Sequence, residues 1–168
     1  MRKIIIALTA VLMTAGIASA QNYMVVDSEK VFKSITEYND ALEQIEKLAT
    51  QYQKEVDAKF ANVEKMYNSY MQQRASLSLS AQQQQEQLIL QREAEATEYQ
   101  ESLFGSDGEL MKRRISLIQP IQERVFNTIE SFSKQYGYDL VIDISANPTI
   151  LYYSTKVDFT ERIIEALK

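Results

Sequence analysis

The sequence EYNDALEQIEKLATQYQKEVDAKFANVEKMYNSYM, residues 37–71, decides the fold. It contains neither proline nor glycine, and most of its residues lose little side-chain freedom in a helix. Its apolar residues recur every three or four positions, which is the period of a helix and not of a strand. The stretch predicts a long amphipathic helix from Glu37 to Arg74, about 57 Å in length at 1.5 Å per residue.

A serine-rich segment, Ser76–Ser80, interrupts this pattern, and we expect Ser80 to cap the helix that follows it. Apolar residues resume at helical spacing beyond it, at Leu88, Tyr99 and Leu103. A helix as long as the first needs a partner helix to cover its apolar stripe, and the returning segment is the nearest one. We therefore predict an antiparallel helical hairpin over residues 37–108, with its tip near residues 76–80.

Two features interrupt the returning segment. Gly105 and Gly108 together cost about 2 kcal/mol relative to alanine in a helix interior. A true break or hinge and a bent but continuous helix both remain open at this point. Pro120 removes one helical hydrogen bond and clashes one turn back, so a kink near residues 116–119 is expected.

The residues before the hairpin, 21–36, predict a strand followed by a short helix. Tyr23–Val26 is an apolar, β-prone run. Asp27-Ser28 supplies good N-caps for a helix that begins near Glu29. Thr36 is a position at which the chain can restart or kink before the long helix.

The residues after the hairpin, 109–168, are predicted to fold together with residues 21–36. In order they predict the root of the return helix ending at Gly137, a strand over 138–144, a turn at Asn147-Pro148, a strand over 150–153 and a final helix capped by Asp158. Strands from both chain ends must then meet. The predicted fold class is α+β, mostly α, with the long hairpin inserted in a small β body.

Three short strands make a poor independent core. A symmetric oligomer would supply the missing burial, although this argument does not specify the number of subunits. The residues expected to form the oligomeric body are Met24, Val25, Val26, Leu140, Val141, Ile142, Ile150, Leu151 and Tyr152.

The first 20 residues predict a secretory signal peptide. Arg2 and Lys3 precede an apolar run, Ile4–Ile17, which is too short for a comfortable membrane span, and Ala18–Ala20 is an A-x-A cleavage signal. An uncleaved anchor helix is the alternative. Removing 20 of 168 residues leaves 148 and changes the formal charge from −5 to −7, because two cations are lost. No later apolar run reaches spanning length, so no stable membrane insertion is predicted.

Composition excludes several function classes. The chain has no His and no Cys, so Ser-His and Cys-His nucleophile pairs are impossible and zinc sites are disfavoured. Six basic and eleven acidic residues between Tyr38 and Phe104 give that segment a net charge of −5. Nucleic acids and anionic lipids would be repelled. The carboxylates of Glu93–Glu101 are typical of a solvated helix face, so we predict no enzyme, no metal and no cofactor.

Apolar and tyrosine side chains near the hairpin tip are candidates for binding a partner. They are Val63, Met66, Tyr67, Tyr70, Met71, Leu77 and Leu79. Methionine and tyrosine make an adaptable surface that suits promiscuous binding. The alternative is that these positions zip the two helices together. The seam is favoured for Val63, whereas both interpretations stay open for Tyr67, Tyr70, Leu77 and Leu79.

The two ends of the chain carry a family resemblance. The segments concerned are MVVDSEKVF (24–32), YDLVID (138–143), ILYY (150–153) and DFTERII (158–164). With a charged helical hairpin between them, they resemble the Skp/OmpH family of periplasmic chaperones. The resemblance covers essentially the whole mature chain, and the ends are its most specific parts.

This resemblance implies a homotrimer in the periplasm of a Gram-negative bacterium. Three hairpins would project from a central β body around a cavity that holds unfolded outer-membrane proteins without ATP. Well-known members are strongly basic, whereas the arms here are acidic. A lipopolysaccharide site is therefore not expected in this chain. Client capture would rely on apolar and aromatic contacts. The alternative function is a non-catalytic spacer or adaptor of the cell envelope that docks a folded partner.

Overall fold

The computed structural model describes residues 22–145 and 149–168. The predicted signal peptide over residues 1–20 and the predicted turn at Asn147-Pro148 lie outside these residues. The chain is mostly helical, with long helices and a small two-stranded sheet. The elements are β1 (Tyr23–Val26), α1 (Ser28–Lys33), α2 (Thr36–Gln73), α3 (Leu79–Phe104), α4 (Glu109–Tyr136), β2 (Leu140–Asp143) and α5 (Thr160–Ala166), with single 3-10 turns at Arg74–Ser76 and Thr155–Val157.

The chain divides into two compact units. We call the first the body unit; its described residues are 22–31, 128–145 and 149–168. We call the second, residues 32–127, the arm unit. Within the described residues, no helix is both long enough and apolar enough to cross a bilayer.

In the arm unit, α2 and α3 pack side by side in antiparallel directions. The Tyr99 hydroxyl of α3 donates to the Glu55 carboxylate of α2 at 2.5 Å, and the Tyr70 hydroxyl of α2 donates to the Glu86 carboxylate of α3. Val56 is buried at this seam, as its place in the apolar stripe indicated. The sequence periodicity therefore identified the two long helices correctly.

The turn at the tip differs in detail from the prediction. Ser78, and not Ser80, caps α3, because its backbone is extended and its Oγ accepts from the Ala81 N–H at 3.2 Å. The Gln82 side-chain amide donates to the carbonyls of Arg74 and Leu77 at 3.0 and 3.1 Å. This glutamine satisfies backbone acceptors of the tight turn, a role that its place in a glutamine run did not reveal.

The two glycines after Phe104 produce a true break and not a bent continuous helix. The Gly105 N–H donates to the Glu101 carbonyl at 2.8 Å, which ends α3, and α4 begins at Glu109. A Cβ added to Gly108 would lie 2.7 Å from the backbone carbonyl oxygen of Leu103. The close approach of the two backbone segments therefore requires glycine at this position.

The break contrasts with the single proline of α4. This helix runs unbroken from Glu109 to Tyr136 with Pro120 inside it. It ends, as predicted, at Gly137, which has a φ of +71°. The Tyr138 N–H then donates to the Ser133 carbonyl at 2.9 Å, which is the closing hydrogen bond of a Schellman motif.

The body unit is built around a parallel pair of strands. β1 and β2 pair from Tyr23 opposite Leu140 to Val26 opposite Asp143. The predicted N-cap before α1 is confirmed, because the Asp27 carboxylate accepts from the Lys30 N–H at 3.0 Å. The two strands can run parallel because the long connection between them, which contains the whole hairpin, brings the chain back to the end of the sheet at which β1 begins.

The predicted cap of the C-terminal helix was wrong, because α5 begins at Thr160 and its N-cap residue is Phe159, which makes no side-chain cap hydrogen bond. The Asp158 carboxylate accepts from the N–H and the hydroxyl of Thr160, at 3.0 and 2.6 Å. The Arg162 guanidinium of α5 lies 5.1 Å from the ring centre of Phe132 and 4.9 Å from that of Tyr136. These cation–π contacts tie α5 to the end of α4.

The prediction of a third strand over Ile150–Tyr153 was wrong for the single chain. These residues form neither strand nor helix, and Leu151 and Tyr152 are 94% and 85% exposed. A strand requires hydrogen bonds to a neighbouring strand. Within residues 22–145 and 149–168 the sheet consists of β1 and β2, so β-prone composition alone did not place this segment in it.

Candidate functional site

The candidate client-binding residues differ widely in burial. Tyr70 is buried, whereas Tyr67, Met71 and Leu79 are 50%, 46% and 79% exposed. Three others are half-buried: Val63, Met66 and Leu77. The structure therefore brings only part of the predicted set to the surface.

Tyr70 belongs to the seam between α2 and α3. Its hydroxyl donates to the Glu86 carboxylate, and this hydrogen bond, followed by burial, raises the pKa of the Tyr70 phenol. A buried tyrosine with a satisfied hydroxyl holds the two helices together. Its ring also forms part of the floor beneath its more exposed neighbours.

A groove of about 400 Å³, here called the tip groove, lies on one face of the hairpin near its turn. Tyr67 and Met71 contribute exposed side chains from α2, and Leu90, 63% exposed, contributes one from α3. The remaining lining residues are Tyr70, Arg74, Glu86, Ile89 and Glu93. The groove thus presents aromatic, thioether and aliphatic surfaces together, which suits binding of varied apolar segments.

Leu90 was not among the predicted residues, although the sequence contains a signal for it. Leu88, Ile89 and Leu90 are three consecutive apolar residues. A helix covered by a single partner cannot bury three successive residues, because they point about 100° apart around its axis. Ile89 is buried while its neighbours are exposed, so the run itself marks a surface-exposed apolar residue.

Met66 and Leu77 line a different groove of about 310 Å³. Most of its other lining residues are polar: Asn62, Lys65, Ser69, Gln73 and Gln85. Tyr70 contributes to both grooves. Five of the seven predicted residues therefore line one or both of these grooves, whereas Val63 and Leu79 line neither.

A third groove, here called the α3 groove, extends from the tip region to the glycine break and encloses about 910 Å³. It begins at Leu90 and Glu93, which also line the tip groove. Its other lining residues are Ala94, Thr97, Glu98, Glu101, Ser102 and residues 105–108. The lining of this open groove combines small side chains with the carboxylates of Glu93, Glu98, Glu101 and Asp107.

The seam that supports these grooves contains its own polar contacts. Tyr99 donates to Glu55, and this hydrogen bond, together with one from Gln51, lowers the pKa of the Glu55 carboxyl. The Lys59 ammonium lies 4.5 Å from the ring centre of Tyr99. Tyr52 and Phe104 meet edge to face with centroids 6.3 Å apart. These contacts hold α2 and α3 in one register.

The carboxylates of the described residues include one, Asp143, that is held by hydrogen bonds within the body unit. Among residues 22–145 and 149–168, no group of three or more His, Cys, Asp or Glu side chains is arranged to hold a metal ion. The Asp143 carboxylate of the body unit accepts hydrogen bonds from Ser28 and Ser145. Burial raises its pKa, but these hydrogen bonds outweigh that effect and lower it. Asp143 is thus a hydrogen-bonded structural carboxylate.

The residues predicted to form an oligomeric body also differ in how far their side chains are buried. Three of them, Met24, Val25 and Val26, fill the core of the body unit within a single chain. Val141, Ile142 and Ile150 are half-buried. Leu140 is 55% exposed, and Leu151 and Tyr152 are almost fully exposed. Among these nine predicted residues, Leu140, Leu151 and Tyr152 are the ones that leave most of their side chains uncovered.

Comparisons with known proteins agree on one family. The model of the family described as outer membrane protein (OmpH-like) matches residues 22–167. No curated protein shows significant similarity to the sequence. A 2.83 Å crystal structure from Caulobacter crescentus CB15, described provisionally as an outer membrane chaperone (OmpH-like), has a TM-score of 0.66 and 10% identity, covering 87% of this chain and 83% of that chain. At this identity the likeness shows a shared fold.

Proposed function

The chain belongs to the OmpH-like outer membrane protein family, and on that premise we propose that it is an ATP-independent holdase chaperone. It would bind unfolded outer-membrane proteins in the periplasm and prevent their aggregation. Unfolded β-barrel chains expose strand edges and apolar side chains that pair with one another, so a protein that covers them keeps the chains soluble. Export would depend on the predicted signal peptide.

The observation that carries this proposal is the exposed apolar surface near the hairpin tip. Tyr67, Met71 and Leu90 stand on two helices that are held together by buried residues and hydrogen bonds. Apolar area removed from water contributes about 25 cal/mol per Å², so even partial coverage by a client is favourable. Release needs no nucleotide when each contact is weak, and the sequence contains no P-loop.

We extend the proposal to the homotrimer. Leu140 and the segment Leu151–Tyr152 expose apolar side chains in the body unit, and burying them against sister subunits would stabilise the assembly. The segment 150–153 would gain the strand partners that a single chain does not provide. Several hairpins on one body would also raise the effective concentration of weak client sites.

The test is dilution of a urea-denatured outer-membrane β-barrel protein with and without this protein. Light scattering would report aggregation, and native mass spectrometry would report the mass of the chaperone and of its client complex. We expect suppressed scattering and a trimeric mass. A monomer that leaves scattering unchanged would overturn the proposal, and a stoichiometric complex with a folded partner alone would favour an adaptor.

A further inference from the structure

We propose that the client segments this chain prefers are extended, apolar or aromatic sequences that carry lysine or arginine, and that they lie along α3. The inference rests on the proposed holdase function and narrows its client class. It follows from the continuity of two grooves, from the charges that line them and from the spacing of those charges.

The tip groove and the α3 groove adjoin one another. Leu90 and Glu93 line both of them. A client side chain that packs against Tyr67, Met71 and Leu90 is therefore at the start of a surface that continues along α3. From Leu90 to Gly105 the helix rises about 22 Å, which is the length of about seven residues of extended chain.

Most of the charged side chains along this surface are carboxylates. Glu86 and Glu93 stand at the tip groove, and Glu98, Glu101 and Asp107 line the α3 groove. Arg74 is the single basic residue among the described residues lining either groove. A groove bordered by carboxylates attracts cations and repels acidic segments.

Three of these carboxylates are available to a partner. Glu93, Glu98 and Glu101 are exposed, and none of them takes part in an ion pair within the described residues. By contrast, Glu95 on the same helix accepts from Arg92 at 2.7 Å. The helix thus neutralises a carboxylate outside the groove and leaves those inside it unneutralised.

The spacing of the carboxylates matches an extended peptide. Glu93 and Glu101 are eight residues apart and so about 12 Å apart along the helix axis. In an extended chain, residues i and i+4 point to the same side and lie about 13 Å apart. Two lysines at this spacing can therefore face Glu93 and Glu101 together, while an apolar residue before them reaches Leu90.

The direct test is fluorescence anisotropy of the full mature protein with labelled ten-residue peptides. Each peptide carries a Phe-Leu pair followed by two variable positions spaced i and i+4 in a serine background. The variable residues are lysine, glutamine or glutamate, and a fourth peptide places two lysines at i and i+3, on opposite sides of the chain. We expect the lysine i, i+4 peptide to bind about fivefold more tightly than the glutamine peptide, because exposed charge pairs contribute modestly.

Matched variants locate the effect. The triple substitution Glu93→Gln, Glu98→Gln and Glu101→Gln should remove the lysine preference. The control Asp40→Asn, Glu46→Gln and Glu64→Gln removes the same charge from exposed positions outside both grooves and should retain it. Circular dichroism confirms that both variants keep their helical content. In the unmodified protein, raising salt from 0.05 to about 0.5 M should reduce the preference through screening.

The outcomes separate this inference from the holdase proposal. Equal binding of all peptides, equal loss in the control variant or a preference that salt does not change would each overturn the cationic-apolar preference, even if aggregation of denatured barrel proteins is suppressed. A lysine preference without suppression of aggregation would support the groove chemistry and overturn the holdase.

Discussion

The body unit and the arm unit bury their apolar residues in different ways. In the body unit, Met24, Val31 and Ile163 have no exposed surface. In the arm unit, Tyr67 and Met71 keep about half of theirs. The difference arises because, near the tip, α2 and α3 pack against each other and cover one stripe of each helix. We therefore expect the buried core of the body unit to contribute stability and the exposed apolar side chains near the hairpin tip to contact clients.

The largest predicted effect is a loss of protein stability when a buried side chain of the body unit is removed. Ile163→Ala removes a fully buried side chain and leaves a cavity, which should lower the free energy of unfolding by about 3 kcal/mol. Urea unfolding at one fixed protein concentration measures this loss. Ile115→Ala in the arm unit is the matched control, since Ile115 is 50% exposed. Equal losses for the two variants would remove the contrast between the units.

The next effect concerns binding and should leave stability almost unchanged. The triple substitution Tyr67→Ser, Met71→Ser and Leu90→Ser removes exposed apolar surface from the tip groove. We expect about tenfold more chaperone to be needed for half-maximal suppression of client aggregation.

The control for this triple variant places serine at three other exposed apolar positions of the arm unit. These are Leu42, Met111 and Ile115, which line none of the three grooves. If the control loses as much activity as the tip variant, the tip groove is not a preferred client site.

A smaller effect tests the seam. Tyr70→Phe keeps the ring but removes the hydroxyl that donates to Glu86, and the unfolding free energy should fall by about 1 kcal/mol. Tyr67→Phe changes an exposed tyrosine on the same helix and should have almost no effect. Thermal or urea unfolding of the two variants, compared under identical conditions, tests whether the seam hydrogen bond contributes as the structure indicates.

The smallest effect is a pH dependence of the arm unit. The hydrogen bonds from Tyr99 and Gln51 hold the pKa of Glu55 below its ordinary value of 4.5. A lowered folded-state pKa stabilises the fold above the unfolded-state pKa, and this contribution is lost as pH falls through the folded-state value. Stability should therefore decline below about pH 4.5, and Glu55→Gln should show a shallower decline in urea unfolding at stepped pH. An unchanged slope would show that this hydrogen bond does not contribute to the pH dependence of the unfolding free energy.

The sequence predicted several local features because they depend on residues within one helical turn. Gly137 ends α4 with positive φ, and Asp27 caps α1. The two-glycine break was recognised, although the choice between a break and a bend required the close approach of Gly108 to the Leu103 carbonyl. The serine that caps α3 was misplaced because Ser76–Ser80 offers alternating serines, and only the backbone direction selects Ser78.

Other features depend on contacts between distant residues and could not be predicted from the spacing of apolar residues in the sequence. The segment Ile150–Tyr153 has the composition of a strand but no partner strand in the chain's own sheet. Leu90 lies in the same apolar run as Ile89, yet one is exposed and the other buried. The position of the neighbouring helix decides between them.

The amino-acid sequence by itself determined the two long helices, the place of the turn between them and the acidic character of the arms, because helix propensity, apolar spacing and charge are local properties of the sequence. Only the tertiary structure decided how far the side chains of Tyr67 and Tyr70 are buried. The two are the same residue type three positions apart, on neighbouring positions of one helix. The packing of α3 places Glu86 against the Tyr70 hydroxyl and buries that ring, while Tyr67 remains half exposed.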